Sequence, residues 1–181
     1  MVRKTTDETL RDEKEVVQYL KLDEKNKAKV QLLCDHFFGT NYASILVSAP
    51  NEEIWMACVN GEPVGFCKYL FNQTEPYSDI ILSDQPYSLV NLVGVLPNFR
   101  ELGIAKKLVN CAMESTPNNP VFGVAWEIDG KARVMGVFAA VGIHYKGNLG
   151  HIWKQQCENN EFRCPVKKHV CICTASLYST D

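Results

Sequence analysis

The sequence predicts a mixed α/β sheet built as one domain, and three observations carry that prediction. Asn60-Gly61 sits between two apolar-rich segments, a strong signal for a two-residue hairpin. An apolar run at 89–96 feeds into an amphipathic helical pattern and then a second apolar run at 121–128. That is a βαβ unit, whose crossover is right-handed. The whole order is strands first, then β-α-β-α-β-β, with no internal repeat or low-complexity stretch.

Taken in order, residues 1–12 are polar and predict a flexible N-terminal arm, leaving 13–181 as a single domain. A short strand is expected near 15–20. Asp23 then caps a helix reaching about Phe38, with Val30, Leu33, Cys34, Phe37 and Phe38 on one face and Gly39 as its stop. Strands at 54–59 and 64–70 form the hairpin. Residues 71–87 hold two prolines and read as a long loop. The strand at 89–96 ends at Pro97, and a helix from about Gly103 to Glu114 buries Ile104, Leu108, Cys111 and Ala112. Pro117 and Pro120 break the chain before the strand at 121–128. Val134, Val137, Phe138 and Val141 recur at helical spacing within 131–141, and Gly142 ends that helix. Two last strands are expected at 151–157 and 170–178. Trp55, Trp126 and Trp153 then all fall in strands and belong to the core.

Composition limits the function. The chain has 181 residues, 46% hydrophobic and 22% charged, which suits one soluble core. A net charge of −2 from 19 basic and 21 acidic side chains gives no long-range field for nucleic acid or an anionic membrane. Neither partner is expected. No apolar run approaches the roughly 18 residues needed to cross a bilayer. The polar first residues are not a signal peptide, so eight cysteines are read as reduced and the protein as cytoplasmic. Monomer and homodimer both remain open.

The stretch 92–106 reads Leu-Val-Gly-Val-Leu-Pro-Asn-Phe-Arg-Glu-Leu-Gly-Ile-Ala-Lys. It is a buried strand running into a turn that opens a helix. The first turn of a helix offers unpaired N–H groups and partial positive charge, so it is a natural anion site. Gly103 lets the backbone approach a phosphate, and Ala105 keeps the next turn small. Arg100-Glu101-Leu102-Gly103-Ile104-Ala105 resembles the [Arg/Gln]-x-x-Gly-x-[Gly/Ala] signature of the GCN5-related N-acetyltransferases (GNAT). The order of elements resembles that family over roughly 13–178.

The resemblance implies a mostly antiparallel sheet of six to seven strands with a splayed parallel pair, flanked by about four helices. It implies acetyl-coenzyme A as co-substrate, with its pantetheine arm bonded by the backbone of Val93 and Val95. Arg100 and the amides of Glu101, Leu102, Gly103, Ile104, Ala105 and Lys106 would hold the pyrophosphate. The acceptor, an amine, would sit among variable loops, here 36–50, 71–87 and 143–150.

Three features depart from the family's pattern. The tyrosine that donates a proton to the leaving thiolate in many members corresponds to Phe138, which cannot. Tyr145 is the substitute candidate. The strand at 89–96 carries no carboxylate, so Glu127 is the candidate base. These departures leave an alternative: a coenzyme A-binding sensor with impaired catalysis. Lastly, Cys164, Cys171 and Cys173, with His169 and Cys157 nearby, resemble a zinc knuckle short of one ligand, since Lys167 stands at the Cys-x2-Cys offset. A pair of buried free thiols is the first reading there and zinc the second. His144 and His151 could each reach the acceptor cleft.

Overall fold

The computed structural model describes residues 16–46, 49–75, 77, 79–116, 119–164 and 170–181. The expected N-terminal arm lies outside them. One sheet organises the molecule, its strands ordered β1-β2-β3-β4-β5-β8-β7. These are β1 (Gln18–Lys21), β2 (Glu52–Val59), β3 (Glu62–Gln73), β4 (Tyr87–Val95), β5 (Val121–Ile128), β7 (His144–Gly150) and β8 (Thr174–Ser179). A two-residue β6 (Lys131–Ala132) pairs with β5 off this path. All neighbours run antiparallel except β4 and β5.

Local chemistry explains the elements. Asn60 and Gly61 take φ of 52° and 78°, the left-handed pair that turns β2 into β3. The Asp23 carboxylate accepts the Asn26 N–H at 3.0 Å and caps a 3-10 turn, which leads into α1 (Lys27–Phe38). Gly39 closes α1 at φ 96°. The other helices are α2 (Ile104–Glu114), α3 (Met135–Ala140) and α4 (Lys154–Glu158).

Alternation along the strands sends side chains to two faces. On one, Val30 and Cys34 of α1 pack on Met56, Phe66 and Leu92. On the other, Ile104 and Leu108 of α2 and Phe138 of α3 pack on Ala57, Cys67 and Ala125. Gly94 sets the height of α1: a Cβ there would stand 2.3 Å from the Phe37 ring.

The end of the chain differs from expectation. Residues 151–157 are not a strand: Trp153 and Cys157, four apart, share one side of α4, a helical spacing. The strand is β7, whose largely exposed His-Tyr-Lys-Gly-Asn-Leu-Gly lacks the apolar alternation that would announce it. The expected helix at 131–141 shortens to α3. Asp129 and Gly130, at φ 53° and 72°, make a tight turn that folds β6 back on β5.

Candidate functional site

The parallel strands meet only at their starts. Ser88, Leu89 and Val90 pair with Val121, Phe122 and Gly123, and then the two strands part. Beyond that point β4 stays bonded to β3 through Val95, and β5 to β8 through Glu127. The Leu96 N–H donates to the Val64 carbonyl of β3 at 2.9 Å. Because successive backbone groups alternate sides, those of Val93 and Val95 point away from β3, into the gap. The Val95 carbonyl already accepts the Arg100 Nε–H at 3.0 Å. Arg100 thus ties the turn back to the strand.

That turn opens beside the gap. Pro97–Phe99 form a 3-10 turn, Arg100 is extended, and Glu101 and Gly103 take left-handed φ of 65° and 74°. The first helical bond runs from the Lys107 N–H to the Gly103 carbonyl at 3.0 Å, so the N–H groups ahead of it have no partner within the helix. Ile104 is buried and anchors this end of α2, whereas Glu101, Leu102 and Lys106 are exposed and Ala105 half-buried. A Cβ on Gly103 would meet nothing within 4 Å. The helix start is bare and open.

A cavity of about 390 Å³ reaches β4 from the α1 side. Asn41, Tyr42 and Ala43 after α1, Tyr77 in the β3–β4 loop and Asn91 of β4 form part of its lining. The remaining wall comes from α4 and the segment after it, with Trp153, Gln156, Glu161 and Phe162. Trp126 of β5 joins these aromatics: its ring centroid lies 5.1 Å from Tyr42, 5.9 Å from Trp153 and 6.4 Å from Phe162. Burial pushes the Tyr42 and Tyr77 hydroxyls above the usual phenol range, so both stay neutral.

Neither Glu127 nor Tyr145 lines this cavity. The Glu127 carboxylate accepts from Ser176 Oγ and, at 2.9 Å, from Asn148 Nδ2, which fixes it among β5, β8 and β7. Tyr145 is exposed on β7, its ring edge-on to Tyr178 at 5.7 Å. Phe138 is buried, packed edge-on against the same tyrosine at 5.1 Å. His151 donates from Nδ1 to the Cys173 carbonyl, 2.8 Å away, and His144 is exposed; neither lines the cavity. The cavity lining draws on 36–50 and 71–87 but not on 143–150, and α4 with its following segment supplies the rest. Tyr42, Tyr77, Asn91 and Phe162 were not singled out from the sequence. The available signal was aromatic side chains in loops and an amide in an apolar strand.

Among the described residues no group of three or more His, Cys, Asp or Glu side chains is placed to hold a metal ion. His169 lies outside them. Cys157, Cys171 and Cys173 are buried together with Cys164 beside them. Burial raises the Cys67 thiol from 9.0 to about 12 and the Cys34 thiol to about 11. Cys173 is likewise raised to about 11. Each is therefore a neutral thiol at pH 7. A thiol-reactive dye is expected to modify half-buried Cys111 and Cys164 promptly and the other cysteines only on denaturation. Fast reaction of all eight would contradict this packing. The sign of the linkage follows: the stability these neutral thiols contribute is intact below pH 9.0 and is lost as pH rises toward 11–12.

The model of the acetyltransferase (GNAT) family matches residues 21–119. No curated protein sequence matches the chain. Among solved structures, the fold is similar to Arabidopsis thaliana NAA60 in complex with acetyl-CoA, at 16% identity over 91% of this chain and 97% of that one, TM-score 0.65. It is similar to Arabidopsis thaliana Naa50 bound to the bisubstrate analogue CoA-Ac-MVNAL, at 13% identity over 91% and 98%, TM-score 0.61. A chain of the NatC complex bound to Gag peptide and CoA shares 15% identity over 90% and 96%, TM-score 0.62.

Proposed function

Because the chain belongs to the acetyltransferase (GNAT) family, we propose that it moves acetyl from acetyl-coenzyme A to a primary amine by direct attack in a ternary complex. The observation that carries this reading is the parting of β4 and β5 beyond Val90 and Gly123, with a bare helix start beside it and a cavity reaching β4. On this reading the diphosphate rests on the N–H groups of Glu101, Leu102, Gly103, Ile104, Ala105 and Lys106. The pantetheine amides bond the main chain of Val93 and Val95, and Arg100 holds the turn in shape.

The acceptor ammonium first loses one proton through water to Glu127, and the free amine attacks the thioester carbonyl carbon. The C–N bond forms, the tetrahedral oxyanion collapses, and the C–S bond breaks with its electron pair leaving on sulfur. The nitrogen sheds its second proton to water, and Tyr145, itself reprotonated from water, supplies the proton that neutralises the thiolate. Phe138 favours a second reading, a coenzyme A-binding sensor with impaired catalysis, because the ring buried there has no proton to give.

Release of thiol from acetyl-coenzyme A across a panel of amines tests both. Transfer is expected, and Glu127→Gln is expected to lower kcat by about 10²–10⁴-fold with acetyl-coenzyme A affinity unchanged. Tight binding without turnover on any amine would favour the sensor. Absence of binding would remove both readings.

A further inference from the structure

The cavity reaching β4 has a composition that selects among amines. Tyr42, Trp153 and Phe162 present aromatic surface backed by Trp126, and among the described residues Glu161 is the one charged side chain in the lining. Aromatic faces attract a cation through their quadrupole, and a carboxylate among them completes the attraction. Among the described residues, the basic side chains of the neighbouring elements are paired or turned to solvent. Lys68 is paired to Glu52 at 2.8 Å and donates to the Ser44 carbonyl at 3.1 Å, and Lys154 stands 4.0 Å from Glu158. Arg163, next to Phe162, is exposed and outside the lining.

Other ligand classes fit poorly. An anionic tail would face Glu161 directly. A neutral aliphatic tail would cover that carboxylate and the amides of Asn41, Asn91 and Gln156 without offering them a partner, a desolvation cost with no return. The volume, about 390 Å³, holds a small flexible amine and a few waters, and it is too small for a folded partner.

We propose that the acceptor is a small diamine or polyamine, one nitrogen presented at β4 near Asn91 and the other, still an ammonium, held between Glu161 and the aromatic wall of Trp153 and Phe162. This rests on the acetyl-transfer reading for the fate of the first nitrogen. The second contact stands without it, as a binding site.

Tryptophan fluorescence reads the binding directly, because Trp126 and Trp153 belong to the same aromatic group. The full chain is titrated with 1,4-diaminobutane and, in parallel, with 1-aminopentane, which has the same length and a methyl in place of one ammonium. The diamine is expected to bind about tenfold or more tightly. Glu161→Gln should bring the two affinities within about twofold of each other, a loss confined to the diamine. Equal affinities in the unaltered protein, or a preference that survives Glu161→Gln, would overturn the proposal. Diamine binding without thiol release from acetyl-coenzyme A would instead overturn the transfer reading and leave the cation site standing.

Discussion

Gly103→Trp is expected to weaken acetyl-coenzyme A binding by at least about 100-fold, equivalent to roughly 2.7 kcal/mol, with the fold retained. Two facts separate the effects. The backbone of Gly103 sits at φ 74°, so any side chain carries strain there, about 1–2 kcal/mol. The space where a Cβ would point is open within 4 Å, so the first side-chain atom meets no protein atom, and a bulky ring is expected to extend over the ground beside the bare N–H groups of α2. Gly103→Ala is the control, since it carries the same strain with almost no bulk. Calorimetry on both variants, alongside their melting curves, distinguishes strain from blockade. Unchanged affinity in Gly103→Trp would remove the diphosphate site from this turn.

Phe138→Ala is expected to cost about 3–5 kcal/mol of stability, lowering Tm by roughly 6–20 °C for a domain of this size. Phe138 is 2% exposed. It fills the room left by Gly123, where a Cβ would lie 2.5 Å from its ring, and it packs edge-on against Tyr178. Truncation leaves a cavity lined by backbone and tyrosine that neither can close. Phe138→Leu should recover most of the loss, because it restores volume without an aromatic edge. A Tm unchanged in Phe138→Ala would mean that α3 does not rest on this ring. Phe138 is a structural residue of the core.

The order of elements was legible wherever local chemistry is decisive. Asn60-Gly61 announced a hairpin, Asp23 and Gly39 bracketed a helix, and the strand-turn-helix around Gly103 stood out by its apolar run and small residues. What stayed hidden depends on partners far away in sequence. β7 is a largely exposed edge strand whose residues carry no periodicity, so only its pairing with β8 defines it. The cavity is assembled from the end of α1, the β3–β4 loop and α4, three regions more than thirty residues apart, and no window of sequence contains it. Asn91 is a polar residue in an otherwise apolar strand, and in the fold it lines the cavity. The wrongly placed strand at 151–157 came from treating Trp153 and Cys157 as sheet residues, when their spacing of four already suited a helix. That single misreading hid the wall that carries Glu161 and Phe162.

The divergence of β4 from β5 has a consequence for the unloaded protein. Main-chain donors and acceptors on the inner edge of a sheet ordinarily bond a neighbouring chain, and here the ladder with β5 stops at Val90, short of Val93 and Val95. An extended amide-bearing substrate would serve as a surrogate strand, completing the ladder it enters. Loaded protein would then be the more resistant to opening between the two halves of the sheet, by an amount that grows with co-substrate concentration.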